Sequence, residues 1–146
     1  MQFVVVETLN APREAVFDVV SDPRRRTEWQ SSLRSVHVHG SGKPGLGMRW
    51  YEYTRGGLRF DLEITAFERP SRWAERGGGR AANAALDVRF DEGPTRGSTR
   101  LVIEVDVTLK GVLKLAEPMV RRLMPLALRG DLARVVELAR SSRAPR

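Results

Sequence analysis

Two hydrophobic periods divide the chain. From Val36 to Leu109, apolar and polar residues mostly alternate with a period of two, as in strands that bury one face. Leu58, Phe60, Leu62, Ile64 and Ala66 alternate with Arg59, Asp61, Glu63 and Thr65. Leu86, Val88 and Phe90 alternate with Asp87, Arg89 and Asp91, and Leu101, Ile103, Val105, Val107 and Leu109 with Val102, Glu104, Asp106 and Thr108. Shorter runs around Val36 and Val38, around Met48 and Trp50, and from Arg72 to Arg76 predict three more strands, and the Val-rich stretch Phe3 to Leu9 predicts one at the start. Turn signals separate them: Gly40 to Gly45, Arg55-Gly56-Gly57, Pro70-Ser71, the flexible run Gly77-Gly78-Gly79, and Glu92-Gly93-Pro94. Apolar-in, charged-out strands joined by short turns predict an antiparallel meander with one wet face.

Helical periods flank this block. Asn10 reads as a cap and Pro12 as a first-turn residue. The following helix buries Val16, Phe17 and Val20. Ser21-Asp22-Pro23 breaks it, and Pro23 to Trp29 forms a second short helix. The longest helical stretch is the last, from about Val112 to Arg140. Between Glu117 and Ala139 it would run roughly 35 Å at 1.5 Å per residue. Val120, Leu123, Met124 and Ala127 form one stripe, with Arg121, Arg122 and Arg129 pointing away. Leu128, Leu132, Val135, Val136 and Ala139 form a second stripe, turned by roughly 100°. A straight helix would put Asp131 in the middle of the apolar face. Pro125 lies between the stripes, so a bend or an extra-residue bulge is expected over Pro125–Gly130. The predicted class is therefore α+β: a seven-stranded antiparallel sheet, two short helices after the first strand, and a long C-terminal helix. One domain over 1–140 and a disordered basic tail over 141–146 are expected.

A seven-stranded sheet is roughly 30 Å wide at 4.8 Å per strand, and one helix covers only about 10 Å of it. The sheet must curl around the helix, and such a grip tends to leave an apolar gap suited to a small molecule.

Composition narrows the functional classes. The chain has 146 residues, a net charge of +7 and no cysteine. Disulfides, thiolate chemistry and cysteine-based zinc sites are excluded. No run of eighteen apolar residues predicts a membrane span, and no secretion signal is visible, so a cytoplasmic protein is the default expectation. The cations are mostly arginine and scattered, with only Lys43, Lys110 and Lys114 as lysines. Arg24-Arg25-Arg26 is the densest internal cluster. A solvated basic face explains this better than nucleic-acid recognition. No nucleophile triad, phosphate loop or Gly-x-Gly-x-x-Gly turn is present. His37 and His39 lack a third metal ligand. No cofactor is expected.

The order of these pieces resembles the START/Bet v 1-like (SRPBCC) superfamily with its helix-grip fold, and within it the bacterial polyketide cyclase/dehydrase and lipid-transport type. The resemblance rests on Ala11-Pro12, Val16-Phe17 followed by Ser21-Asp22-Pro23, Glu28-Trp29, Gly45-Leu46-Gly47-Met48-Arg49, Pro70-Ser71-Arg72-Trp73 and Arg129-Gly130-Asp131-Leu132. It implies a cavity between sheet and C-terminal helix. It leaves the activity open, because the superfamily hosts cyclases, hydrolases, carriers, ribosome-associated toxins and chaperone activators. It also implies an aromatic near the cavity mouth, for which Trp29 is the candidate.

By alternation Trp50, Phe60, Leu62, Ile64, Val88, Phe90, Ile103 and Val105 point inward, opposite Leu123, Met124, Ala127 and Leu128. Each is plain core or cavity wall. Glu52 shares a face with Met48 and Trp50, where a carboxylate must raise its pKa or find a partner. It is either a polar anchor or general acid/base, or a strand-end residue that reaches water or sits on a bulge. Trp73 reads as a plug. Arg49, Tyr51 and Tyr53 point outward, and a one-residue slip would bring them inside, where they could polarise a phenol or ketone oxygen. The expected function is binding of a small hydrophobic ligand (a lipid, quinone or aromatic polyketide-like molecule). A cyclase or dehydratase using the same cavity, with Glu52 as its acid/base, is the alternative. A ribosome- or protein-contact module is the third reading. A homodimer is compatible with all three.

Overall fold

The computed structural model describes residues 1–141. Strand β1 (Gln2–Leu9) leads into α1 (Arg13–Val20), a 3-10 turn (Pro23–Arg25) and α2 (Arg26–Trp29). Six strands follow: β2 (Leu33–Val38), β3 (Arg49–Thr54), β4 (Arg59–Glu68), β5 (Arg72–Gly78), β6 (Ala82–Glu92) and β7 (Thr99–Leu109). A 3-10 segment (Gly111–Ala116) then delivers the chain to α3 (Glu117–Ser141). Apart from Ser141, the last residue of α3, the predicted tail lies outside the described residues.

The strands form one antiparallel sheet in the order β1-β7-β6-β5-β4-β3-β2. β2 to β7 are a meander, and β1 closes onto β7 with Val5 opposite Ile103. The sheet curls around α3 as a helix grip. A bulge between Ile64 and Ala66 helps bend β4. It also changes the face: Phe67, paired with Trp73, joins the core and meets Phe17 edge-on at 5.2 Å. Simple alternation assigns that place to Ala66. The difference lies in the extra residue, because one insertion inverts every later position of a period-two pattern.

Gly77 and Gly78 belong to β5 rather than to a free turn. A Cβ at Gly77 would run into the carbonyl oxygen of Asp61 on β4. The glycine is there for close backbone approach. Pro12, not Asn10, occupies the N-cap of α1, and no side chain caps it. The Asn10 carbonyl accepts from Arg140 Nε at 3.0 Å instead.

α3 is α-helical without a break through Pro125, so the extra-residue bulge is absent. Its buried and half-buried positions follow a single phase, Leu128, Asp131, Leu132, Val135 and Ala139. The second stripe is thus the core-facing one, with Leu132, Val135 and Ala139 buried and Leu128 and Val136 packed on the core, whereas Leu123 and Met124 of the first stripe are exposed. Asp131 is on the buried face and 5% exposed. Its Oδ1 accepts from the Ser31 amide at 3.2 Å, the Ser31 hydroxyl at 2.8 Å and Arg134 Nη1 at 3.1 Å. This bolts α3 to the segment between α2 and β2. α3 packs on α1, α2 and β1. The half before Leu128 reaches over the remaining sheet without filling the space beneath it.

Asp131→Ala removes an acceptor from two groups of Ser31, and hydrogen bonds to charged groups contribute roughly 1.5–3 kcal/mol each. We expect a loss of about 2 kcal/mol in urea unfolding, with Asp131→Asn recovering part of it. An unchanged unfolding midpoint for Asp131→Ala would show that this bolt is idle.

Candidate functional site

The space under the first half of α3 is a cavity of about 260 Å³. Its apolar walls come from Phe3 on β1, Phe60 and Leu62 on β4, Leu86 on β6, Val105 on β7 and Leu128 on α3. Its charged groups are Arg26, Glu52, Glu75 and Asp131.

Three of these form one buried cluster. Arg26 opens α2, whose four residues are set by the preceding Asp22-capped turn with Pro23 in its first position. β3 and β5 flank β4, so Arg26 spans one strand to reach a carboxylate on either side. Its Nη2 lies 2.8 Å from Glu75 Oε2, and its Nη1 3.4 Å from Glu52 Oε2. The contact to Glu75 is short but not aligned as a hydrogen bond, whereas that to Glu52 is one. Trp50 Nε1 donates to the same Glu52 oxygen at 3.1 Å. The guanidinium carbon sits 5.2, 5.4 and 6.0 Å from the ring centres of Trp50, Trp73 and Trp29. Three indoles thus surround a cation that is 2% exposed.

The electrostatics follow from burial. Removal from water pulls the Arg26 guanidinium down, and the carboxylates of Glu75 and Glu52 more than offset this, so its pKa stands above the ordinary arginine value. Burial pushes the Glu75 carboxyl up. Arg26 opposes that push and the nearby Glu52 charge adds to it, and the balance is a raised pKa. One cation faces two acids, so a proton retained on Glu75 neutralises the cluster. A carboxylic acid of this kind can donate as well as accept. Trp29 lines the cavity; among the described residues its buried indole N–H has no acceptor, nor has Arg26 Nε.

Of the residues singled out from the sequence, Trp29, Glu52, Phe60, Leu62, Met124 and Ala127 line this cavity. Trp50, Val88, Phe90 and Ile103 are buried in the solid core beside it. Leu123 does not face the sheet: it is 51% exposed, because the true phase of α3 turns it outward. Glu52 is inward, with no register slip on β3, and 5% exposed, so it neither reaches water at the strand end nor sits on a bulge. Arg49, Tyr51 and Tyr53 stand on the outer face, where Tyr51 stacks on His37 at 4.7 Å and Arg59 covers it at 4.1 Å. Among the described residues no group of three His, Cys, Asp or Glu side chains is placed to hold a metal.

Sequence reasoning misses Arg26 and Glu75. It places Arg26 with Arg24 and Arg25 as solvated charge. A signal exists in the repeated Trp-x-Glu of Trp50–Glu52 and Trp73–Glu75, which sets two carboxylates and two indoles on the buried face. Two inward acids require a cation, and Arg26, one helical turn before Trp29, is the inward choice.

Residues 1–140 match the family described as polyketide cyclase / dehydrase and lipid transport. The chain belongs to this family. Its fold is shared with the Zhui aromatase/cyclase from Streptomyces sp. R1128, at TM-score 0.80 and 15% identity, covering 99% of this chain and 96% of that one. TTHA0849 from Thermus thermophilus superposes at TM-score 0.78 with 18% identity, covering 99% and 100%. A conserved protein from Geobacillus kaustophilus does so at 0.77 with 14% identity, covering 97% of each. No curated protein matches the chain. In this member of the cyclase/dehydrase and lipid-transport family, all seven strands, α2 and α3 contribute residues to the cavity between sheet and long helix, and Arg26, Glu52 and Glu75 form an ionic cluster in its wall.

Glu75 makes stability depend on pH. Its folded-state pKa is raised above the unfolded one, so the native state holds the proton longer. The associated stability is fully present below the unfolded value and is lost as pH rises through the folded value. We expect urea unfolding of the wild type between about pH 4 and pH 8 to show this fall, and Glu75→Gln to flatten it. A parallel pair of profiles would mean that folding leaves the Glu75 pKa unmoved.

Proposed function

We propose that the cavity binds one small, mostly apolar molecule carrying an oxygen function, such as a phenol, quinone or enolisable ketone. The observation that carries this reading is the ionic cluster Arg26–Glu52–Glu75 set against walls of Phe3, Phe60, Leu62, Leu86, Val105 and Leu128. Apolar walls supply affinity by burial at roughly 25 cal/mol per Å². The polar cluster supplies orientation. A volume of about 260 Å³ falls just below the roughly 300–1,000 Å³ of sites for drug-sized ligands. It suits a guest of one or two fused rings better than a two-tailed lipid.

The same cluster favours a second reading, that of a cyclase or dehydratase. Burial raises the Glu75 pKa beside a permanent cation, which favours the protonated form. A general acid needs that when a ketone oxygen gains charge. In this reading Glu75 protonates the oxygen, Arg26 stabilises the developing charge, and the walls fold the chain of ketones for attack. The fold shared with an aromatase/cyclase supports it.

The two readings separate experimentally. Native mass spectrometry and fluorescence titration should show 2-naphthol binding at least tenfold more tightly than naphthalene. Leu86→Trp, which fills the cavity, should abolish binding with the fold intact by circular dichroism. Equal affinity for the two guests would sink the anchored-ligand reading. Turnover of an aromatic-forming poly-ketone substrate, reduced by Glu75→Gln with naphthol affinity kept, would establish the enzyme. Binding without turnover leaves a carrier or sensor.

A further inference from the structure

The long helix has a second apolar face that the fold does not use. Val112, Leu115, Met119, Leu123 and Leu126 are between 51 and 86% exposed. In α3 they recur as Met119, Leu123 and Leu126, at i, i+4 and i+7. The core-facing phase runs through Leu128, Val135 and Ala139. At about 100° per residue the two stripes lie roughly 180° apart. A helix laid on a globular core shows polar residues on its outer side; here the outer side of the first half is nearly as apolar as the inner one. Single exposed leucines need no explanation, but five large apolar side chains exposed along the 3-10 segment and the first half of α3 do.

The charges beside the stripe identify what covers it. Between Lys110 and Gly130 there are five cations, Lys110, Lys114, Arg121, Arg122 and Arg129, and one acid, Glu117. Glu117 is paired with Arg121 at 3.0 Å, and Arg129 reaches Glu7 at 2.9 Å. Among the described residues, Lys114 and Arg122 have no carboxylate partner. A second copy of this chain is a poor occupant. In a two-fold contact the patch meets itself, and the cations of one subunit would face those of the other. A surface that is both negatively charged and apolar just beneath the charge answers both features. That is an anionic lipid bilayer.

We propose that the segment from Gly111 to Leu126 seats on anionic membrane surfaces, with Leu115, Met119 and Leu126 inserted at the headgroup boundary and Lys114 and Arg122 against lipid phosphates. The helix lies in the interface plane and does not span the membrane. The residues that insert are not those that line the cavity, so docking and guest binding are separable.

Sedimentation of the full chain with vesicles tests this. Equal mixtures of phosphatidylglycerol and phosphatidylcholine should carry the protein down, and phosphatidylcholine alone should not. Binding should weaken with added salt. Leu115→Ser/Met119→Ser/Leu126→Ser should abolish it, with the thermal midpoint and naphthol affinity of the wild type retained. Lys114→Gln and Arg122→Gln should each weaken it about fivefold. Binding that ignores lipid charge, or that survives the triple serine variant, overturns the proposal. So does a failure to sediment with either vesicle. A wild-type dimer in analytical ultracentrifugation that the triple variant renders monomeric would assign the stripe to a second copy instead.

Discussion

A guanidinium buried among three indoles and two carboxylates dictates most of what surrounds it. Removing Arg26 from water costs several kcal/mol, even after relaxation, unless opposite charge is at hand. Glu52 and Glu75 supply that charge from strands on either side of β4. The three partners fix α2 over the sheet more tightly than its four residues could by themselves. Trp29, Trp50 and Trp73 complete the enclosure with faces of negative quadrupole. Replacing a buried ionic cluster with apolar side chains of the same volume is often neutral or stabilising. The retention of an ionic one is most readily understood if its polarity serves a guest, because the cavity wall is where it surfaces.

The cavity itself follows from dimensions and from where α3 is anchored. A curled sheet of seven strands cannot be filled by one helix that packs chiefly on β1, α1 and α2. The helix is held at its far half by Leu132, Val135 and Ala139, and by the Asp131–Ser31 bolt. Its near half touches the cavity through Met124, Ala127 and Leu128. Solid core occupies the side where Phe17, Phe67 and Phe90 interlock. The gap opens on the other side, beneath the part of the helix that buries least.

How far the sequence can be read depends on the periodicity involved. Period-two alternation carries the seven strands and the inward set on β6 and β7, because nothing interrupts it there, and short turns carry the meander; the place of β1 beside β7 is not in the pattern. It fails after Ile64, where one unpaired residue inverts the faces, and at Gly77, where a strand position is glycine for lack of room. The phase of α3 is misjudged for a different reason. Charge is taken to mean solvent, and Asp131 is a buried charge with its own donors. The same assumption hides Arg26 and Glu75. Glu52 alone stands out, because its neighbours Met48 and Trp50 make the conflict local. Glu75 sits in the same Trp-x-Glu setting, but the polar residues next to it, Arg72 and Arg76, make the strand look like a surface one. Pairwise conflicts in sequence reveal a buried charge only when the neighbours are visibly apolar.

These misreadings share a consequence for α3. Once Asp131 is placed inward, the helix needs no bend to satisfy its core, and the remaining apolar residues, Met119, Leu123 and Leu126, have nowhere in the fold to go. They lie on a helix that is continuous through Pro125. Their exposure is a property of a helix that serves two boundaries, one against the sheet and one outward. The segment that carries both boundaries is also the one with the fewest buried side chains, and local opening is least costly where burial is least. The roof of the cavity and the outward apolar stripe are thus two sides of a single stretch of helix, each with its own set of side chains.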